Sequence, residues 1–251
     1  MSEAFEEFRL AVQFLTRLPV RDLGYTPERM ARTPKWHPAV GALIGAITGV
    51  VYLAGAQVWP PLVAVLVSVA AGLLLTGCFH EDGFADACDG LGGGATRERV
   101  LEIMRDSRLG TYGVAGLTMM LAGKVAVLAA LPVWAVPFAL VAGHAVSRAS
   151  SVQVLATSDY VRDHGTGKPV SEGIGGADLR FALLTAALAC VPLMMAVGIT
   201  AVLAGAAGLV AGRWLIRSRF ERRLGGYTGD CLGAVQQGSE VGFCLGLLAW
   251  A

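Results

Sequence analysis

Four carboxylates lie close together in residues 80–90 (HEDGFADACDG). Asp82, Asp86 and Asp89 are spaced i, i+4 and i+7, so a helix through them would present all three on one face. Such close like charges repel unless a cation neutralises them, and Mg²⁺ commonly takes one or two carboxylates together with phosphate oxygens. We therefore expect a divalent metal site for a phosphorylated ligand.

Asp82 and Asp86 are the best ligand pair, and Asp89 is either a third ligand or a base. A solvated helix end paired with arginines is the alternative.

A second polar segment, residues 103–113, carries Arg105, Asp106 and Arg108. Guanidinium groups are suited to pairing with phosphate oxygens. Asp106 is expected either to join the metal site or to orient one of these arginines. The alternative is a basic flank before a membrane span.

Two residues with ionisable side chains, His144 and Arg148, are spaced i, i+4 inside an apolar run. Ionisable groups inside a membrane are costly, which favours a functional role such as substrate binding. Arg148 lies near the end of the run, however, so extension of its side chain to the surface is the alternative. Lys124 is equally ambiguous and is left unassigned.

The remaining polar segments are residues 156–180 and 213–231. In the first, residues 165–168 offer backbone N–H groups and the Lys168 ammonium to a phosphate, although the segment is too short for a P-loop and an ordinary turn is the alternative. In the second, Asp230 is placed to cap the next helix. Gln236 and Glu240 then enter an apolar run at i, i+4, and together with Asp230 they are expected to form a second polar wall that faces the interior of the bundle and binds ligand; capping alone is the alternative role of Asp230.

The composition identifies an integral membrane protein. Of 251 residues, 55% are hydrophobic and only 16% are charged, against about 25% in soluble domains. A formal net charge of +1 gives no global case for nucleic-acid binding. The five cysteines show no CxxC spacing and are expected to be small buried residues.

The hydropathy pattern predicts an all-α fold in one membrane domain over residues 1–251, with about seven spans arranged as three hairpins plus a final span. Two spans separate successive polar segments, so all four polar segments face one side, and their basic residues make that side cytoplasmic. The expected spans are Ala39–Trp59, Pro61–Phe79, Tyr112–Leu131, Val133–Leu155, Phe181–Val197, Ile199–Ile216 and Leu232–Ala251.

Before the first span, apolar residues at helical spacing predict an amphipathic helix in the cytoplasmic interface: Phe5, Phe8, Val12 and Leu15. Small residues at Gly41, Gly45 and Gly49 are suited to packing helices within or between chains, so a homo-oligomer stays open.

Five ordered motifs together resemble the cobalamin synthase family, adenosylcobinamide-GDP ribazoletransferase. They are HEDGFADACDG at 80–90, IMRDSRLGTYG at 103–113, HAVSR at 144–148, YVRDHGTGK at 160–168 and GGYTGDCLGA at 225–234, and FLTRLP at 14–19 fits as well. Phe84 and Cys88 depart from the family pattern, but neither departure replaces one of the carboxylates.

The resemblance implies a magnesium-dependent enzyme of the bacterial inner membrane. It would join adenosylcobinamide-GDP to α-ribazole, or to its 5′-phosphate, and release GMP. Asp82 and Asp86 would hold the metal at the diphosphate, Arg105 and Arg108 would balance negative charge, and His80 or Asp89 would accept the hydroxyl proton. Association with other enzymes of nucleotide-loop assembly stays open.

Three other functional classes have similar features. A CDP-alcohol phosphotransferase would have an Ala-Arg pair after Asp-Gly, whereas Ala85 is followed by Asp86 here. A polyprenyl transferase would have two aspartate-rich motifs, whereas this sequence has one and Asp230 is isolated. A cation transporter would place its carboxylates near mid-membrane in broken helices, whereas here all except Glu240 are expected in the cytoplasmic segments or at their edges.

Overall fold

The computed structural model describes residues 3–21, 24, 26–162, 170 and 174–250. Within these ranges the secondary structure is helical, apart from an isolated parallel bridge between Tyr160 and Tyr227. The helices are α1 (Glu3–Leu15), α2 (Pro27–Ala31), a 3₁₀ turn (Pro34–Trp36), α3 (His37–Gly55), α4 (Pro61–Thr76), α5 (Phe79–Gly93), α6 (Arg97–Ile103), α7 (Thr111–Ala130), α8 (Val136–Leu155), α9 (Gly176–Ala189), α10 (Val191–Val197), α11 (Ile199–Leu224) and α12 (Gly229–Trp250).

The described chain contains four helical segments long and apolar enough to cross a membrane: Pro27–Gly55, Thr111–Ala130, Gly176–Val197 and Ile199–Leu224. Helices α4 and α5 reach that standard only as a pair, and a 90° bend separates them, which gives up to five spans. The all-α membrane fold is therefore supported, but the prediction of seven spans is not confirmed. Helices α8 and α12 are also long, but polar side chains interrupt both.

Glycine contacts draw two pairs of helices together. A Cβ added at Gly41 would lie 2.2 Å from the backbone oxygen of His144, and one at Gly45 would lie 2.5 Å from that of Leu140. This small-residue face of α3 therefore packs against α8 within the chain. Helices α11 and α12 approach as closely, since a Cβ at Gly208 would lie 2.1 Å from the oxygen of Gly242.

The sharp bend between α4 and α5 is made by two consecutive residues in the left-handed region. Gly77 ends α4 with φ +62°, and Cys78 precedes α5 with φ +57°. A left-handed residue is a common way to end a helix, although it is unusual for a side chain larger than glycine. The bend directs the acidic helix α5 away from the axis of apolar α4.

Helix α12 lies at the centre of the bundle and contacts α5, α7, α8 and α11. Helix α1 packs its Val12 and Leu15 with Val40 and Ile44 of α3, whereas Phe5, also on the predicted apolar face, is exposed. The position of α1 in a lipid interface stays a prediction. The first turns of α5 and α12, together with α1, form the region that holds the acidic residues.

Candidate active site

Helix α5 presents Asp82 and Asp86 one turn apart, beside Asp230 at the start of α12. The two helices meet at Gly83, where an added Cβ would lie 3.0 Å from the Cα of Asp230. Asp82 is exposed, whereas Asp86 and Asp230 are half-buried. The structure thus adds Asp230 to the carboxylate pair that was predicted from helical spacing.

The charges of this cluster do not balance. The carboxylates of Asp230 and Asp82 both repel that of Asp86, while Arg162 attracts it. Arg162 forms an ion pair with Asp230, with 2.7 Å between Nη2 and Oδ2. Burial raises the pKa of Asp230, and Arg162 opposes this shift. Three carboxylates facing one guanidinium leave net negative charge that a bound cation would neutralise.

The bridge between Tyr160 and Tyr227 positions Arg162. The N–H of Val161 donates to the oxygen of Tyr227 at 3.0 Å, and the N–H of Tyr227 donates to the oxygen of Asp159 at 2.8 Å. Gly226 permits this approach, because a Cβ there would lie 2.3 Å from the oxygen of Asp159. Arg162 was not among the predicted site residues, although it lies inside the motif at 160–168. Lys168, which was predicted from that motif, lies outside the described residues.

A cleft of about 160 Å³ opens beside the carboxylates. Asp82, Asp230 and His80 line its polar side. Phe14 of α1 and Phe79 of α5 also line the cleft, with their rings edge-to-face at 5.2 Å between centroids. The cleft therefore offers acidic groups and aromatic surface to the same ligand.

Asp89 lies on α5 but bonds to another helix. Its two carboxylate oxygens accept the N–H groups of Gly110, at 2.7 Å, and Gly113, at 2.8 Å. These N–H groups begin α7, where a helix leaves donors without partners in its own backbone. Asp89 therefore caps α7, and its predicted role as a metal ligand or base stays a prediction.

Asp106 and Arg108 pair with each other at the surface. The guanidinium of Arg108 donates to both carboxylate oxygens of Asp106, with a shortest distance of 2.6 Å. This bonding lowers the pKa of Asp106 to about 2. Arg105 is exposed, and its charge acts on Tyr160, which packs against Tyr227. Arg105 is therefore near the bridge that positions Arg162.

The other predicted binding residues, Arg148, Gln236 and Glu240, belong to a buried network. The Nζ of Lys124 lies 2.9 Å from Oε1 of Glu240, and Nε2 of Gln236 donates to Oε2 of the same carboxylate at 2.5 Å. Arg148 donates to the backbone oxygen of His144 at 3.0 Å, and Nδ1 of His144 lies 3.2 Å from Oε2 of Glu240.

This network reaches the acidic helix through Glu81. Lys124 donates to Oε1 of Gln237 at 2.7 Å, and Nε2 of Gln237 donates to Oε1 of Glu81 at 2.7 Å. Neither Glu81 nor Lys124 is among the site residues predicted from the sequence: helical spacing turns Glu81 off the face of Asp82 and Asp86, and Lys124 is left unassigned. The network lies behind the cleft rather than in its lining.

The carboxylates resemble a metal site only in part. Within the described ranges, no group of three or more His, Cys, Asp or Glu is arranged to hold a metal ion. The hard oxygens of Asp82 and Asp86 nevertheless suit Mg²⁺, which needs few protein ligands when phosphate and water complete its shell. The predicted metal set of Asp82, Asp86 and Asp89 stays a prediction.

Sequence comparisons place the whole chain in one family. A family model described as cobalamin-5-phosphate synthase matches residues 7–248. A Leptothrix cholodnii protein named adenosylcobinamide-GDP ribazoletransferase is 46% identical, over 96% of this chain and 94% of its own. Proteins of the same name from Ralstonia nicotianae and Vibrio cholerae are 43% and 41% identical, over 100% and 98% of this chain and 97% and 94% of their own. No solved structure gives a significant match. The chain belongs to the cobalamin-5-phosphate synthase family.

Proposed function

We propose that this chain is an adenosylcobinamide-GDP ribazoletransferase. It joins adenosylcobinamide-GDP to α-ribazole, or to the 5′-phosphate of α-ribazole, and releases GMP. The observation that carries the proposal is the cluster of Asp82, Asp86 and Asp230 around Arg162 at the mouth of a cleft. The relatives that bear this name match nearly the full length of the chain, and the alternatives among other membrane transferases and transporters lack such support.

The reaction is a phosphoryl transfer. The 3′-hydroxyl of the ribazole attacks the phosphorus that carries the cobinamide arm, and a new P–O bond forms. The bridging P–O bond of the diphosphate breaks, and GMP leaves with the electron pair. The protein must hold the two reacting groups in line and balance charge as GMP departs.

The residues around the cleft divide these tasks. Arg162 supplies positive charge beside the leaving phosphate, and Arg105 and Arg108 supply more at the exposed rim. His80 lines the cleft next to Asp82 and is our choice as acceptor of the hydroxyl proton. Asp89 is less suited to that task, because backbone N–H groups already occupy both of its oxygens.

Magnesium is part of the proposal. Asp82 and Asp86, with Asp230 beside them, are the residues that would hold it. When bound, the ion supplies charge neutralisation at the diphosphate. Without a cation the three carboxylates would repel the phosphate groups of the substrate.

Arg148, Gln236 and Glu240 are proposed to support the cleft from behind rather than to contact substrate, since all three are buried in the network. We also propose that the protein lies in the bacterial inner membrane with α5 at the cytoplasmic face. In that membrane, α8 and α12 would also cross the bilayer and complete the seven spans predicted from the sequence.

The test is GMP release by purified protein in detergent or lipid. Release should require adenosylcobinamide-GDP, α-ribazole and magnesium together. Asp82→Asn should lower turnover at least about a hundredfold, because it removes charge from the metal pair. Glu102→Gln also replaces a carboxylate with an amide, but at an exposed residue of α6, and it should not alter turnover. Absence of GMP release from the wild-type protein with all three components would refute the proposal.

A further inference from the structure

The aromatic side of the cleft is built from three separate elements. Phe14 comes from α1, His37 begins α3, and Phe79 begins α5. The ring of His37 stacks on Phe14 at 6.1 Å between centroids with 25° between the planes, and Phe79 packs edge-to-face against Phe14. Elements distant in sequence thus converge to present ring faces and edges beside Asp82.

The cleft also contains a polar atom that the protein does not satisfy. His37 lines the cleft and is 9% exposed, and its Nε2 has no hydrogen-bond partner among the described residues. A buried donor or acceptor without a partner costs free energy, so a ligand that pairs with Nε2 of His37 and stacks on the aromatic rings would be stabilised here.

Cleft volume restricts the choice among the parts of the two substrates. About 160 Å³ is well below the roughly 300–1,000 Å³ of pockets that enclose a whole drug-sized ligand. A corrin macrocycle is therefore excluded from this cleft, whereas a two-ring base fits. The two-ring bases in the proposed reaction are the guanine and the adenine of adenosylcobinamide-GDP and the benzimidazole of α-ribazole.

The lining favours benzimidazole over the two purines. Guanine and adenine carry several donors and acceptors along their edges, and Leu15, Val152 and Leu155 cannot pair with them. The cleft carboxylates Asp82 and Asp230 are assigned to the metal and the diphosphate. A benzimidazole has a carbocyclic ring and, once joined to ribose, one free ring nitrogen that accepts a hydrogen bond. His37 in the tautomer with its proton on Nε2 supplies a donor to that nitrogen.

We infer that this cleft is the subsite for the base of α-ribazole, held by Phe14 and Phe79 and hydrogen-bonded by His37. The inference rests on the proposed function and adds a location and a set of contacts for the acceptor substrate. With the base in the cleft, the attached ribose lies toward Asp82 and Asp230, where the diphosphate is proposed to bind. Helix α1 then has a direct part in substrate recognition.

The test compares two phenylalanines of the same helix. Phe14 lines the cleft, whereas Phe5 is 48% exposed. Phe14→Leu, and separately Phe79→Leu, should raise the KM for α-ribazole at least about fivefold, because stacking of a base on an aromatic ring is lost. The KM for adenosylcobinamide-GDP and the kcat at saturation should change less than about twofold. Phe5→Leu should leave all three values unchanged.

A third variant isolates the hydrogen bond. His37→Phe keeps a ring in contact with Phe14 but removes the nitrogen, and should raise the KM for α-ribazole about two- to tenfold. Phe79 is 42% exposed, so its substitution leaves the folded state intact even if Phe14→Leu does not.

The outcomes separate the inference from the proposed function. An increase confined to the KM for adenosylcobinamide-GDP would assign the cleft to the guanine or the adenine of that substrate and overturn the inference. So would wild-type KM values in Phe79→Leu. A wild-type protein without GMP release overturns the proposed function, and the inference falls with it.

Discussion

At the scale of single residues, the acidic cluster is organised by Arg162. Its guanidinium reaches Asp230 at 2.7 Å and acts on the charge of Asp86. Asp82 is more exposed and remains available to ligands from solvent. The guanidinium of Arg162 thus stabilises the half-buried carboxylates of Asp86 and Asp230. The exposed carboxylate of Asp82 is left to bind a ligand.

Arg162→Gln should reduce kcat/KM for GMP release about 10- to 100-fold, since a charge-assisted contact contributes roughly 1.5–3 kcal/mol. Steady-state kinetics on the purified variant measure this change. Arg99→Gln is the matched control, because Arg99 is exposed and pairs only locally with Glu102. Equal losses in the two variants would contradict a specific role for Arg162.

At the scale of elements, Asp89 and Asp82 lie on the same helix but have opposite roles. Asp89 accepts two N–H groups that begin α7, whereas Asp82 adds to the repulsion within the cluster. A capping carboxylate stabilises the fold, and a repelled carboxylate does not. Stability and activity should therefore respond differently to substitution of these two aspartates.

Asp89→Ala should lower the free energy of unfolding by about 1–2 kcal/mol, the usual effect of losing a cap. Asp82→Ala should leave stability unchanged or raise it, although it abolishes activity. Thermal unfolding in one detergent compares the two variants directly. A lower Tm for Asp82→Ala than for Asp89→Ala would show that these roles are reversed.

The close contact of α11 and α12 gives a second prediction at this scale. A Cβ at Gly242 would lie 2.3 Å from the oxygen of Gly208, so Gly242→Ala should destabilise the fold by about 1–3 kcal/mol. Gly123→Ala, on α7 with nothing within 4 Å, should be neutral or stabilise by up to about 1 kcal/mol, because alanine favours the helix. Shifts of Tm in the same direction for both variants would contradict the close packing of α11 against α12.

The helices were predictable from sequence because apolarity and helical spacing are local signals. The expected span Tyr112–Leu131 is close to α7, Thr111–Ala130. The expected end at Ile216 was too early, since α11 continues through Arg217 and Glu221, which pair at i, i+4, until Gly225 ends it with φ +72°.

Contacts between distant residues were not predictable in the same way. Helical spacing put Asp89 with Asp82 and Asp86, but it did not indicate that this carboxylate accepts the N–H groups that begin α7. The pairing of Arg162 with Asp230 depends on a bridge between two loops, which no periodic pattern indicates. Asp82 and Asp86 therefore followed from spacing, whereas the pairing of Asp230 with Arg162 required the fold.

At the scale of the whole molecule, the buried network joins four helices. Glu81 comes from α5, Lys124 from α7, His144 from α8, and Gln237 and Glu240 from α12. With Arg148 included, the network places the basic groups of Lys124, Arg148 and His144 among the carboxylates of Glu81 and Glu240. The network fixes the relative positions of the helices behind the cleft.

Lys124→Met should destabilise the fold by about 3–5 kcal/mol, because it leaves Glu240 without its cation in a buried position. The double variant Lys124→Met with Glu240→Leu should recover much of that loss. Chemical unfolding in lipid or detergent measures both. Additive destabilisation in the double variant would show that the two residues do not act as a pair.

The walls of the cleft come from helices that are far apart along the chain, and this has a consequence for biosynthesis. Phe14 of α1 is synthesised well before Asp230 and Leu232 of α12. Until α12 is made, the nascent chain therefore lacks one wall of the cleft. The cleft closes only when α12 inserts between α5, α8 and α11, so incomplete chains cannot hold substrate in it.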